Sequence, residues 1–115
     1  MSIFKSENSF KARLEKANKL LEKYPDKIPI ICERHHSYER GSMEKSKYIV
    51  YGGITLGQFL MIIRKQINIK KEEAIFLFVN NKFLPTNQQL IEIYNIHKDS
   101  DNFLYMSYSN ENTFG

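Results

Sequence analysis

Cys32 is the only cysteine in the chain. A catalytic thiolate needs exposure and a neighbouring cation or helix dipole, whereas Cys32 stands in a β-branched stretch beside Ile30 and Ile31. That setting predicts a buried structural thiol. A lone cysteine also rules out an intrachain disulfide and suits a reducing compartment. His35 and His36 adjoin in a polar stretch, with His97 far along the chain; with one cysteine, this spacing matches no zinc-ligand pattern. Gly52-Gly53 lacks the Lys-Ser/Thr continuation of a phosphate-binding loop and reads as a connection. Asp99 and Asp101 precede the last apolar run and read as a solvated turn rather than a catalytic pair. No polar set converges on a pocket. Neither an enzyme nor a cofactor is expected, and the chain reads as a binding or tagging module.

The end of the chain carries a different kind of chemistry. Ser109-Asn110-Glu111-Asn112-Thr113-Phe114-Gly115 is polar with one aromatic and finishes on glycine. A terminal glycine has no side chain to block approach to its carboxylate, so an extended tail of this kind can enter another protein's active cleft. On a small αβ domain, that tail points to a modifier attached through its own C-terminus.

The elements that must position these residues follow from length and pattern. At 115 residues the chain supports one modest core, too little for a multidomain cofactor enzyme. Aromatic residues at 13% exceed what a disordered chain carries. The longest apolar run, Ala74 to Val79, is six residues, against about 20 for a membrane span. Neither a signal peptide nor a myristoylation glycine is expected at the start, where Ser2 and an early Lys5 stand. The net charge of +4 is uneven: residues 1–25 hold six basic and three acidic side chains, residues 90–115 one basic and four acidic. The basic start favours acidic peptides or a membrane surface; no specific nucleic acid is expected.

Residues 10–23 place Phe10, Leu14, Ala17 and Leu21 at helical spacing behind a Ser9 cap, and Tyr24-Pro25 ends the helix. Lys27 to Glu33 predicts a strand in which Pro29, lacking an N–H, requires an unpaired, edge-like or bulged side. Lys47 to Tyr51 predicts its hairpin partner across a long loop. Thr55 and Gln58 form a capping box before a broad apolar helix, and Thr86 and Gln89 repeat that spacing before a short one. The continuous run Ile75-Phe76-Leu77-Phe78-Val79 predicts an interior strand. Phe103 to Tyr108 predicts the last. The expected architecture is α+β: one helix packed across a mixed four-stranded sheet.

Seven blocks in order now carry a likeness: Lys23-Tyr24-Pro25-Asp26-Lys27-Ile28-Pro29-Ile30-Ile31, Glu44-Lys45-Ser46-Lys47-Tyr48-Ile49-Val50, Thr55-Leu56-Gly57-Gln58-Phe59, Ile63-Arg64-Lys65, Ala74-Ile75-Phe76-Leu77-Phe78-Val79-Asn80-Asn81, Phe103 to Ser109, and Glu111-Asn112-Thr113-Phe114-Gly115. From Phe10 onward the chain resembles the autophagy ubiquitin-like modifiers of the GABARAP and microtubule-associated-protein light-chain type. The resemblance implies a ubiquitin-like β-grasp over residues 26–115, with its C-terminal tail, and an N-terminal helical extension over 1–25 packed on it. It implies conjugation of Gly115 to phosphatidylethanolamine on autophagosomal membranes by an activating and a conjugating enzyme, with Phe114 and Thr113 recognised in the tail. A cysteine protease would prepare the glycine and later release the protein. Location would be cytoplasm, autophagosome membrane when lipidated, and vacuole or lysosome after delivery. The alternative is a ubiquitin-like binding or trafficking adaptor that is never conjugated.

The same resemblance implies recruitment of cargo receptors and adaptors through an aromatic-x-x-aliphatic motif. The aromatic side maps onto Leu20, Pro29, Ile31, Lys47, Ile49 and Phe103. The aliphatic side maps onto Tyr48, Val50, Tyr51, Ile54, Phe59, Ile62 and Ile63. Lys27, Lys45, Lys47 and Arg64 supply positive charge. The sequence departs from the family where Tyr51 replaces a proline, Gly53 an acid, Gln66 a basic residue and Lys16 an acid, so motif preference is expected to be altered. The N-terminal segment 1–8 is expected to add little stability.

Overall fold

The computed structural model describes residues 2–36 and 45–110. Its elements are α1 (Ile3–Glu7), α2 (Phe10–Lys23), β1 (Lys27–Arg34), β2 (Lys47–Tyr51), α3 (Leu56–Ile67), β3 (Phe76–Val79), α4 (Leu90–His97) and β4 (Leu104–Ser109). The strands order β2-β1-β4-β3. β1 runs antiparallel to β2 and parallel to β4, and β3 runs antiparallel to β4. This is the expected mixed four-stranded β-grasp with helices added ahead of β1.

Period-two alternation divides the sheet into two apolar faces. Ile28, Ile30, Cys32, Tyr48, Leu104, Met106 and Tyr108 pack with Leu56, Phe59 and Ile63 of α3 and Leu90, Ile93 and Tyr94 of α4. The opposite face is smaller: Ile31 and Phe103 lie under Ala17, with Phe4, Leu20 and Tyr105 around them.

The capping serine of α2 is in place, with the Ala12 N–H donating to Ser9 Oγ at 3.1 Å. The Thr55–Gln58 box closes in both directions, at 3.1 Å to the hydroxyl and 2.8 Å from the Thr55 N–H. The second expected box does not form. α4 starts at Leu90, which makes Gln89 the cap residue, and no side chain caps it. Thr86 is used elsewhere: its carbonyl accepts the Gly57 N–H at 2.9 Å. Asn80 and Asn81 both adopt positive φ, 49° and 63°, in a two-residue turn whose flanks, Val79 and Lys82, bond reciprocally.

Two expectations about strands are corrected or refined. The apolar run 75–79 supplies β3, which is an edge strand and not an interior one. Its unbroken hydrophobicity reflects cover on both faces, with Leu77, Phe78 and Val79 all buried; position in the sheet leaves no such mark. β1, by contrast, is interior despite Pro29. The Cys32 N–H bonds Ser46 O at 2.8 Å and the Gly52 N–H bonds Asp26 O at 3.0 Å. In the antiparallel register, Pro29 opposite Ile49 is therefore a non-hydrogen-bonded pair. Its missing N–H would have faced β4, whose ladder begins one residue later at Ile30 opposite Leu104.

The N-terminal segment is more firmly held than its composition implies. Phe4 sets its ring edge-on against Phe103 at 5.1 Å, and its N–H donates to Glu33 Oε2 at 2.9 Å. Lys5 reaches Asp99 at 2.7 Å.

Candidate functional site

The site begins at the free side of β2, which pairs only with β1 among the described residues. Since Ile28–Val50 and Ile30–Tyr48 are the hydrogen-bonded pairs with β1, the N–H and C=O groups of Lys47 and Ile49 and the N–H of Tyr51 point outward, while the Tyr51 carbonyl accepts the Ile54 N–H at 3.3 Å. Lys47 and Ile49 thus each offer a donor and an acceptor to an added strand, and Tyr51 a donor. Lys45 and Lys47 are exposed beside this edge. Lys45 Nζ sits 4.7 Å over the Tyr48 ring, and Lys27 Nζ 5.2 Å over Tyr24.

The two sets of apolar residues fall on opposite faces of that edge. Lys47 and Ile49 share the α2 face with Pro29, Ile31, Leu20 and Phe103. Tyr48 and Val50 share the α3 face with Ile54, Phe59 and Ile63. Tyr51, expected with the aliphatic set, instead alternates with Lys47 and Ile49 onto the α2 face; the floors of both sets are closed, with Ile31, Phe103, Phe59 and Ile63 wholly buried. Tyr48 stacks edge-on to Phe59 at 5.5 Å as part of the core, and burial pushes its hydroxyl pKa up. Ile62 and Tyr51 are the exposed members. Side chains at the rim would have to turn aside for an anchor to enter.

Arg64 is not among the edge cations. Its guanidinium donates to Glu73 O at 2.6 Å, Lys70 O at 3.1 Å and Lys71 O at 3.0 Å, holding the connection between α3 and β3. Lys16 turns to Asn8 Oδ1 at 2.9 Å and lies 5.6 Å over Phe4. Gly115, Phe114 and Thr113 lie outside the described residues.

Asp101 corrects the sequence reading most sharply. It is not solvated but wholly buried. Its Oδ2 accepts Arg13 Nη1 at 2.7 Å and the Tyr105 hydroxyl at 2.5 Å, and its Oδ1 accepts the Phe103 N–H at 2.9 Å. The carboxylate ties α2 to the start of β4, directly behind Phe103. The sequence signal was present only as opposite charges, a basic α2 and an acidic turn, with nothing to say that they meet. Cys32 is buried as expected, and burial raises its thiol pKa far above the range of a reactive thiolate. No group of three or more potential metal ligands gathers among the described residues. An apolar pocket of about 220 Å³ lies elsewhere, between α3 and β3, with Leu56, Leu60, Phe76 and Phe83 in its wall.

Comparison with known proteins agrees with this geometry. Residues 12–115 match the family model described as autophagy protein Atg8, ubiquitin like. Autophagy-related protein 8e of Arabidopsis thaliana is 46% identical over 114 residues, covering 99% of this chain and 93% of the relative. Autophagy-related protein 8 of Mycosarcoma maydis is equally similar, at 46% over 99% of this chain and 97% of its own. Among solved structures, Trypanosoma brucei ATG8 superimposes with a TM-score of 0.92 at 39% identity, over 100% of this chain and 99% of the other. Plasmodium falciparum Atg8, in complex with a Plasmodium falciparum Atg3 peptide, gives 0.88 at 34%, over 96% and 98%.

Proposed function

The chain belongs to the Atg8 family of ubiquitin-like autophagy modifiers, which are not enzymes, and on that premise we propose that it acts as a membrane tag. Gly115 is joined to the amine of phosphatidylethanolamine after activation and transfer by ubiquitin-like activating and conjugating enzymes. A cysteine protease prepares that end and releases the lipidated form. The tagged protein marks autophagosomal membranes and is carried to a vacuole or lysosome.

The observation that carries the recruiting half of this function is the open edge of β2. The outward N–H groups of Lys47, Ile49 and Tyr51 and the carbonyls of Lys47 and Ile49 lie between an apolar set on each face, and lysines stand beside them. A strand added there alternates its side chains between the faces. Residues three apart therefore point to opposite faces, as an aromatic-x-x-aliphatic motif requires. The motif starts with its aromatic residue, and the aromatic set lies toward the Lys47 end of β2, so the added strand runs parallel to β2. Lys27, Lys45 and Lys47 attract acidic residues beside the anchors, in a salt-dependent way. The peptide recorded on the Plasmodium falciparum relative supports peptide binding as a property of this fold.

Conjugation is tested by reconstitution with family activating and conjugating enzymes, ATP and phosphatidylethanolamine vesicles. A lipidated product is expected from the native chain and none from a chain lacking Gly115. Equal vesicle attachment by both would leave the non-conjugated adaptor as the better reading.

A further inference from the structure

Tyr51 and Gly53 form a contact that neither residue type announces alone. A Cβ built on Gly53 would collide with the Tyr51 ring, lying 2.7 Å from Cζ and 2.9 Å from the hydroxyl oxygen. The ring therefore rests on a surface that only glycine leaves open. It is nonetheless 58% exposed, so its remaining surface faces solvent. Tyr51 closes β2; its backbone N–H points to the open edge like those of Lys47 and Ile49, and its carbonyl is held in the following turn by the Ile54 N–H at 3.3 Å. Its register puts it on the α2 face, opposite Lys27.

We propose that Tyr51, seated on Gly53, is a shelf for the side chain that directly follows the aliphatic anchor of a docked peptide, and that it selects an aromatic group there. The inference rests on the edge-docking reading above. A parallel strand that sends its aromatic anchor to the α2 face sends the aliphatic anchor, three residues on, to the α3 face. The next residue returns to the α2 face, level with the end of β2, where Tyr51 stands. Lys27 across the strand disfavours a cationic side chain at that place and tolerates an aromatic one. The Tyr51 ring lies against Gly53, and with the residue 58% exposed a second ring can stack on the surface that remains.

Three peptides sharing one aromatic-x-x-aliphatic core and differing only in the next residue, Phe, Ala or Lys, test this by titration calorimetry. The proteins are the native chain, Tyr51→Ala and Gly53→Ala. Gly53→Ala keeps the ring and denies it its seat. Thermal melts confirm that all three are folded. On the native chain the Phe peptide should bind about two- to twelve-fold tighter than the Ala peptide, and the Lys peptide no tighter than Ala. That ratio should fall to about one in Tyr51→Ala and shrink in Gly53→Ala. A Phe-to-Ala ratio preserved in Tyr51→Ala overturns the shelf, and a Lys peptide equal to the Phe peptide overturns the chemistry assigned to it. Failure of all three peptides to bind the native chain overturns the edge-docking reading, and the inference with it.

Discussion

Replacing Asp101 with alanine should destabilise the protein more than any other single change in its polar groups. The carboxylate is wholly buried and satisfies three donors: Arg13 Nη1 at 2.7 Å, the Tyr105 hydroxyl at 2.5 Å and the Phe103 N–H at 2.9 Å. Its removal strands a guanidinium whose side chain is only 12% exposed, together with a hydroxyl and a main-chain N–H. Removing one partner of a buried ion pair costs about 3–5 kcal/mol, because the other charge stays behind without compensation. For a chain of 115 residues, that corresponds to a melting-temperature drop of about 12–20 °C. Asp101→Asn should recover little, since it keeps an acceptor for Phe103 but turns an NH2 group toward two donors. The control is the neighbouring pair Lys5–Asp99, with side chains 36% and 23% exposed; Lys5→Ala should cost under about 1 kcal/mol. Urea unfolding followed by circular dichroism gives the values, and a cycle with Arg13→Met isolates the pairing. The Arg13–Asp101 coupling should lie at the upper end of the range for contacting residues, about 2–3 kcal/mol. An Asp101→Ala cost within about 1 kcal/mol of zero, or no coupling to Arg13, would refute the reasoning.

Three further outcomes can be checked. The double change Lys47→Ala with Ile49→Ala should leave the fold intact and weaken an aromatic-x-x-aliphatic peptide by over about 2 kcal/mol, roughly thirty-fold, in titration calorimetry; unchanged affinity would place docking elsewhere. Arg64→Ala should lose three hydrogen bonds to the carbonyls of residues 70, 71 and 73 and speed amide exchange in that connection, while Arg64→Lys rescues little because an ammonium cannot span the three acceptors. Partial burial raises the Asp99 carboxyl pKa, but the Lys5 hydrogen bond, the Asp101 N–H and the Lys5 charge outweigh it, so the folded value lies below 3.8. The stabilisation it provides is therefore complete above about pH 4 and lost as pH falls through that lower value; an NMR titration of Asp99 with a midpoint at or above 3.8 would contradict this.

Much of the fold was legible in the sequence because local rules act on neighbouring residues. Ser9 and the Thr55–Gln58 box started their helices where their side chains reach the first free N–H groups. Tyr24-Pro25 stopped α2, and the alternation in residues 27–34 and 47–51 gave each strand its two faces. Thr86–Gln89 had the same spacing as the working box yet failed, since the chain does not become helical until Leu90. Membership of the family was readable in the ordered blocks because they are many and long.

What the sequence could not determine depends on partners distant in the chain. An unbroken apolar run fixes burial on two faces but not a place in the sheet; the strand order alone shows that β3 pairs only with β4 among the described residues. Pro29 announced a missing donor, and only the register with Ser46 and Gly52 decided that the gap faces β4 and leaves the β2 ladder whole. Asp101 and Arg13 stand 88 residues apart, so an acid in a polar turn looked solvated until α2 was laid over it. The seat of Tyr51 on Gly53 joins two residues only two apart, yet it too was hidden, because where a ring comes to rest depends on the space around it and not on its spacing along the chain. Residue type and spacing determine what a segment can become; which charges are buried, which edge stays open and which ring finds a platform are settled only when segments far apart in sequence exclude water from one another.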